Sequence, residues 1–192
     1  GRHLEEVLLC GDRGRCVEAM AQAAPVVMKQ WVEEGKIDGV ISMGGGGGTS
    51  ISTAAMRALP VGFPKVMITT MASGDVSAYL ETSDIVMMPS VVDVSGLNSI
   101  LRGVMERGAG AICGMVEAFS QIQEEKPTIV ASMFGNTTSC VEHARSHLED
   151  SGFEVLVFHA TGAGGRTMET LIESGLVRGV LDITATEWAD EQ

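Results

Sequence analysis

Aromatic side chains make up only 4% of the 192 residues. A stacking surface of the kind that single-stranded nucleic acid prefers is therefore hard to build. Cations are short as well: 13 Lys and Arg stand against 25 Asp and Glu, a net charge of -12. That balance excludes a broad nucleic-acid or anionic-membrane footprint. The four cysteines, Cys10, Cys16, Cys113 and Cys140, show no CxxC spacing and no dense framework. They read as free thiols in a reducing cytoplasm, where we expect the chain to reside. No apolar run is long enough to cross a bilayer, and no signal-peptide pattern is present. Neither a G-x-S-x-G nucleophile elbow nor an HExxH motif occurs.

What the chain does have is apolar residues (45%), 24 Gly and 12 Met. This is the composition of a compact α/β protein with glycine loops, long enough for one large or two small domains. The central stretch runs from Gly39 to Leu59. Gly39–Met43 suits a buried parallel strand, and five glycines, Gly44 to Gly48, read as a loop. Thr49 and Ser50 are good N-cap residues for the helix that follows, which Pro60 and Gly62 end. A glycine loop at a helix start can bring backbone N–H groups close to an anion. It is not a Walker A loop, for want of the Lys, nor a dinucleotide fingerprint, because Thr49 holds the third glycine position. Two readings stay open: a phosphate site, or a tight turn needed only for packing. In so acidic a chain a phosphate would rely on local amides, a few Arg residues or a divalent metal.

Before this stretch, His3–Cys10 suggests a strand or arm. Asp12 is placed to cap a helix with the apolar stripe Val17, Met20, Ala21, Ala24, Met28 and Trp31. Pro25 is expected to kink or divide that helix, and Gly35 to close it. After it, Lys65–Thr70 is a strand that empties into the small polar loop Met71–Asp75. Ligands of open α/β sheets sit beyond the carboxyl ends of strands, so this loop should share an edge with Gly44–Gly48. Ser73 and Gly74 offer donors there, and Asp75 suits a metal, a ribose hydroxyl or a helix cap. Asp84–Pro89 is a further buried strand. Asp93, set between apolar residues, reads as a buried carboxylate, either a structural acceptor or a site residue for Mg²⁺. Leu97–Phe119 traces a long helix carrying Gly103, Gly108, Gly110 and Gly114. Such glycines mark close packing at a core or dimer interface, or a break near Gly108–Gly110.

The polar segment Gln121–Pro127 reads as a boundary between domains 1–125 and 126–192. A second βα series follows, with strands at 128–133, 153–159 and 177–183. Thr161–Gly165 repeats the glycine loop and adds Arg166, a phosphate partner if the loop is more than a turn. Two such loops suit a ligand clamped in an interdomain cleft. Cys140, His143 and His147 share a helix face that suits either a metal, for which no fourth ligand is evident, or plain solvation, since the neighbouring stripe Val141, Ala144 and Leu148 turns the His residues outward. Asp182 and Glu187, near a strand end, are acid or base candidates or plain surface groups.

The runs Ser42–Ser50, Ala54–Gly62, Pro64–Val66, Ala72–Val76, Ser90–Asp93, Gly96–Asn98, Ala160–Arg166, Leu181–Thr184 and Thr186–Glu187 together resemble one family over nearly the whole chain. It is the ATP-binding family named after the tomato mosaic virus resistance protein. The resemblance implies two Rossmann-like parallel-sheet subdomains, ATP near their junction, and a homodimer. Against the family pattern, the first subdomain is expected to lack its initial strand and the second to be incomplete. The nucleotide contacts it implies are Gly45, Gly46, Gly47, Gly48, Thr49 and Ser50; Ser73, Gly74 and Asp75; and Gly162, Gly164, Gly165 and Arg166. Mg²⁺ would fall to Asp75 or Asp93. The expectation is a nucleotide-binding domain; the alternatives are an enzyme for a small phosphorylated or acyl substrate, or a protein-interaction module.

Overall fold

A computed structural model of the chain describes residues 11–119, 126–160 and 163–184. The chain divides into two compact units, residues 1–121 and 122–192. The first contains α1 (Arg13–Glu33), β1 (Val40–Gly44), α2 (Gly46–Arg57) and β2 (Lys65–Thr69). A 3-10 turn (Thr70–Ser73), α3 (Ser77–Leu80), β3 (Val86–Pro89) and α4 (Ser99–Phe119) complete it. The second contains β4 (Thr128–Met133), α5 (Thr138–Asp150), β5 (Glu154–His159), α6 (Ala163–Glu173) and β6 (Val177–Asp182). Among the described residues each unit is built on a three-stranded sheet, in order β1-β2-β3 and β5-β4-β6, with every pairing parallel. The chain is therefore α/β, with two Rossmann-like subdomains. His3–Cys10, Gly162 and Glu187 lie outside the described residues.

β2 shows why the first sheet is two-sided. All five of its residues are buried. Met67 packs with Met56 of α2 and with Ile85, whereas Val66 and Ile68 pack with Val104 of α4. A strand covered on both faces needs apolar residues at successive positions, so it loses the alternation of a half-exposed strand. At its amino end Lys65 is fully buried. Its ammonium pairs with Asp84 at 2.6 Å and donates to the Pro60 carbonyl at 2.7 Å. The other Asp84 oxygen accepts from the Gly62 N–H at 2.7 Å. A buried cation requires such partners, and here they tie down the turn that enters β2. The second unit has a smaller core around Ala131, Val141 and Val155.

Two readings of the helices are removed: division at Pro25 and a break at Gly108–Gly110. α1 is capped by Asp12, which accepts from the Arg15 N–H at 3.0 Å, but it runs through Pro25 as one 21-residue element. α4 likewise has no break at Gly108–Gly110. Gly108 is where the helix meets the sheet: a Cβ built there would lie 2.6 Å from Ile68 Cδ1. Among the described residues, no helix is long and apolar enough to cross a membrane.

Candidate functional site

The glycine run is not a loop. β1 ends at Gly44 and α2 begins at Gly46, so Gly45 alone is the turn and serves as N-cap. Absence of side chains is what allows this: a Cβ at Gly44 would lie 3.0 Å from the Gly48 Cα. Thr49 and Ser50 are consequently not caps. Thr49 is fully buried within the helix. Its hydroxyl donates to the Gly45 carbonyl (2.8 Å) and meets the Thr69 hydroxyl at 2.6 Å, fastening α2 to the end of β2. The Ser50 hydroxyl donates back to the Gly46 carbonyl at 3.0 Å. Thr49 is thus enclosed by the protein, whereas Ser50 stays partly exposed.

The first intrahelical bond is the Thr49 N–H to the Gly45 carbonyl, 2.8 Å. The amides of Gly46, Gly47 and Gly48 precede it, and no side chain caps them. They form a positively polarised helix end with no Cβ to hold a ligand off. A cation stands beside it. Arg13 Nη2 lies 3.8 Å from the Cβ position of Gly47, and Val17, one turn further along α1, lies 3.3 Å from the same point. Sequence reasoning missed Arg13. The signal was its i, i+4 relation to Val17 in the apolar stripe, which sets both on the face that packs on α2.

A cavity of about 470 Å³ opens at the carboxyl ends of β2 and β3. Thr69, Thr70 and Ser73 line one side, and Pro89 to Asp93 the other. Thr70 joins it to the glycine turn, since its Oγ1 lies 3.7 Å from the Cβ position of Gly45. The expected meeting of the two loops at one sheet edge is thus present, although the glycines themselves do not line the cavity. Most lining hydroxyls are engaged. Thr69 accepts from the Met71 N–H at 3.0 Å, and Ser90 donates to the Val92 carbonyl at 2.7 Å. Among the described residues, the Thr70 hydroxyl and one oxygen of Asp93 have no hydrogen-bond partner. Val91, at the mouth, is 73% exposed and has φ of 67°, a strained conformation for a β-branched residue.

Asp93 is not the buried carboxylate expected. It is exposed, because residues 91–95 alternate outward and inward and place Val92 and Val94, not Asp93, toward the protein. Its Oδ1 accepts from the Val94 N–H at 2.8 Å. Asp75 closes a short turn just before α3, whose N-cap is Val76: its Oδ1 accepts from the Ser77 N–H at 2.9 Å. That bond, with a contribution from the Ser77 side chain, holds its carboxyl below the usual carboxylate range. Gly74 is no free donor, since its N–H goes to the Met71 carbonyl at 3.1 Å. Ser73 does line the cavity.

The second glycine segment repeats the first. α6 starts at Ala163, so Gly164 and Gly165 belong to its first turn. A Cβ at Gly164 would fall 1.9 Å from the His159 carbonyl oxygen. Gly165 is buried and Arg166 is exposed. Asp182 is held by the Ser132 hydroxyl at 2.6 Å, and that hydroxyl accepts from the Thr184 N–H at 3.0 Å. These bonds pin the ends of β4 and β6. Among the described residues, no three His, Cys, Asp or Glu side chains converge on a metal position, Cys140, His143 and His147 included.

Residues 1–121 match the N-terminal domain, and residues 126–192 the C-terminal domain, of the family described as "Uncharacterised protein family (UPF0261)". The chain belongs to the UPF0261 family. It is 50% identical over 192 residues to a UPF0261 protein of Clostridium tetani, covering 100% of this chain and 48% of that protein. A UPF0261 protein of Rhizobium meliloti is 49% identical over 184 residues, covering 96% of this chain and 45% of that protein. The ToMV resistance protein Tm-1(GCR237) of Solanum lycopersicum is 44% identical over 184 residues, covering 93% and 24% respectively. This UPF0261 chain therefore spans about half the length of its bacterial relatives and about a quarter of the tomato protein. The family likeness read from the motifs is borne out.

Proposed function

We propose that the chain is a nucleotide-binding module, with ATP as the ligand implied by the family resemblance. The observation that carries this is the set of three glycine amides, Gly46 to Gly48, at the uncapped start of α2, beside Arg13 and next to a cavity. Phosphate oxygens are what such a helix start binds. In a protein of net charge -12, backbone amides with one nearby guanidinium provide attraction without a basic surface. Mg²⁺ enters with the nucleotide. It would be held mainly by phosphates and water, with Asp75 or Asp93 as the protein carboxylate.

Isothermal titration of the purified chain with ATP, ADP, AMP and adenosine tests this reading. Affinity should fall at each phosphate removed, because every phosphate lost removes charge-assisted bonds of about 1.5–3 kcal/mol at most. Adenosine binding as tightly as ATP, or no ligand binding at millimolar concentration, would sink the proposal.

A second copy of the chain is the partner we propose. Gly110 and Gly114 on α4 have nothing among the described residues within 4 Å of a built Cβ, and Ile100 of the same helix is 51% exposed. Sedimentation equilibrium showing only monomer across the micromolar range would remove this part.

A further inference from the structure

We infer that the cavity between Thr69 and Asp93 receives the ribose of the nucleotide, and that Asp93 selects for its 2′-hydroxyl. The inference rests on the nucleotide reading and assigns the part of the ligand that the glycine amides do not hold. Among the described residues no Lys, Arg or His lines the cavity, and the one charged group is the Asp93 carboxylate. A phosphate placed there would meet a negative charge with no cationic side chain among the described lining residues to offset it. The part of the ligand that enters must instead be uncharged and donate hydrogen bonds, and the vicinal hydroxyls of a ribose do so. Asp93 has one oxygen committed to the Val94 N–H and one left to accept. A hydroxyl given to a carboxylate makes a short, strong bond.

The lining has a direction. Thr70, with its unpartnered hydroxyl, stands between Gly45 and the cavity, so the phosphate end and the sugar end of a ligand would meet there. Asp93 is on the opposite wall, with Pro89, Val91 and Val92 supplying apolar surface. The volume of about 470 Å³ exceeds that of a ribose and leaves room for part of the base against these residues.

The rival occupant of Asp93 is Mg²⁺, and the experiment separates the two. The full chain is titrated calorimetrically with ATP and with 2′-deoxy-ATP, each with and without Mg²⁺, as wild type, Asp93→Ala and Asp93→Asn. The wild type should bind ATP about tenfold more tightly than the deoxy form, with or without the cation. Asp93→Ala should lower ATP to the deoxy affinity and leave 2′-deoxy-ATP unchanged. Asp93→Asn keeps an acceptor for the Val94 N–H and should fall between. Equal wild-type affinities for the two nucleotides would overturn the ribose assignment while leaving the nucleotide reading intact. A loss in Asp93→Ala that is equal for both nucleotides and seen only with Mg²⁺ would give Asp93 to the cation. ATP failing to bind at all would remove both readings. Should the variants not fold, the wild-type ratio alone decides.

Discussion

A methyl group at Gly164 would have to share space with the His159 carbonyl, 1.9 Å away. Backbone cannot rotate aside as a side-chain tip can, so either the end of β5 or the start of α6 must move. Gly164→Ala should therefore destabilise the second unit by about 3 kcal/mol, the upper end of overpacking costs. Gly135 is the control. Among the described residues nothing lies within 4 Å of its built Cβ, and its φ is not positive, so Gly135→Ala should be neutral or stabilise by under about 1 kcal/mol. Urea denaturation of the two variants checks the contrast, and a Gly164→Ala protein as stable as wild type would refute the packing account. The same physics explains what composition could not reveal. Gly44 to Gly48 and Gly164–Gly165 look like loop in the sequence, because glycine favours loops by its freedom. Here they serve close approach instead, at the first turns of α2 and α6. Nothing in a run of glycines distinguishes the two uses, so Thr49 and Ser50 were placed at a helix start that lies several residues earlier. Asp12 was legible as a cap because its carboxylate has one good local use.

Helix α4 tests that distinction over a whole element. Its glycines fall into two classes: Gly108 faces Ile68 with a built Cβ at 2.6 Å, while Gly110 has nothing among the described residues within 4 Å. Glycine in an exposed helix interior costs about 0.5–1 kcal/mol relative to Ala. Gly110→Ala should recover that amount in dilute solution. Gly108→Ala should not, since the methyl displaces Ile68 in the core, and the two variants should differ by about 1 kcal/mol or more. Thermal unfolding at several protein concentrations reads this directly. At concentrations where the proposed dimer forms, the Gly110→Ala gain should shrink or reverse, because Gly110 then lies against the second copy. Strands and helices of this kind were largely legible because β2, β4 and α4 carry strong periodic or continuous apolar patterns. Asp93 was not. Its apolar neighbours suggested burial, yet it lies in an irregular segment after β3 that exposes Val91 as well as Asp93.

For the chain as a whole, the issue is which of two similar strand–helix turns would hold the phosphates of the proposed nucleotide. The residue pattern favours neither: both have glycines, and the second has Arg166 beside them in sequence. Structure separates them by surroundings. The first turn leaves the Gly46–Gly48 amides uncapped, has Arg13 within reach, and adjoins the cavity through Thr70. At the second, Gly165 is buried and the Gly164 position is filled by the His159 carbonyl, whose oxygen carries the wrong sign for an anion. Arg13 comes from a separate helix and is brought to the first turn only by folding, so sequence distance concealed it. If that arrangement sets affinity, Arg13→Ala should weaken ATP about five- to tenfold, the loss of one partly exposed charge-assisted bond of about 1–1.4 kcal/mol. AMP should suffer less, having fewer phosphate oxygens to present. Arg166→Ala should leave ATP within about twofold of wild type, the range of an uninvolved surface change. Both variants alter exposed side chains, so neither should disturb folding, and circular dichroism confirms that before calorimetry. The reverse ranking, with Arg166→Ala the damaging change, would move the phosphates to the second unit and leave the Gly44–Gly48 turn with packing as its only task.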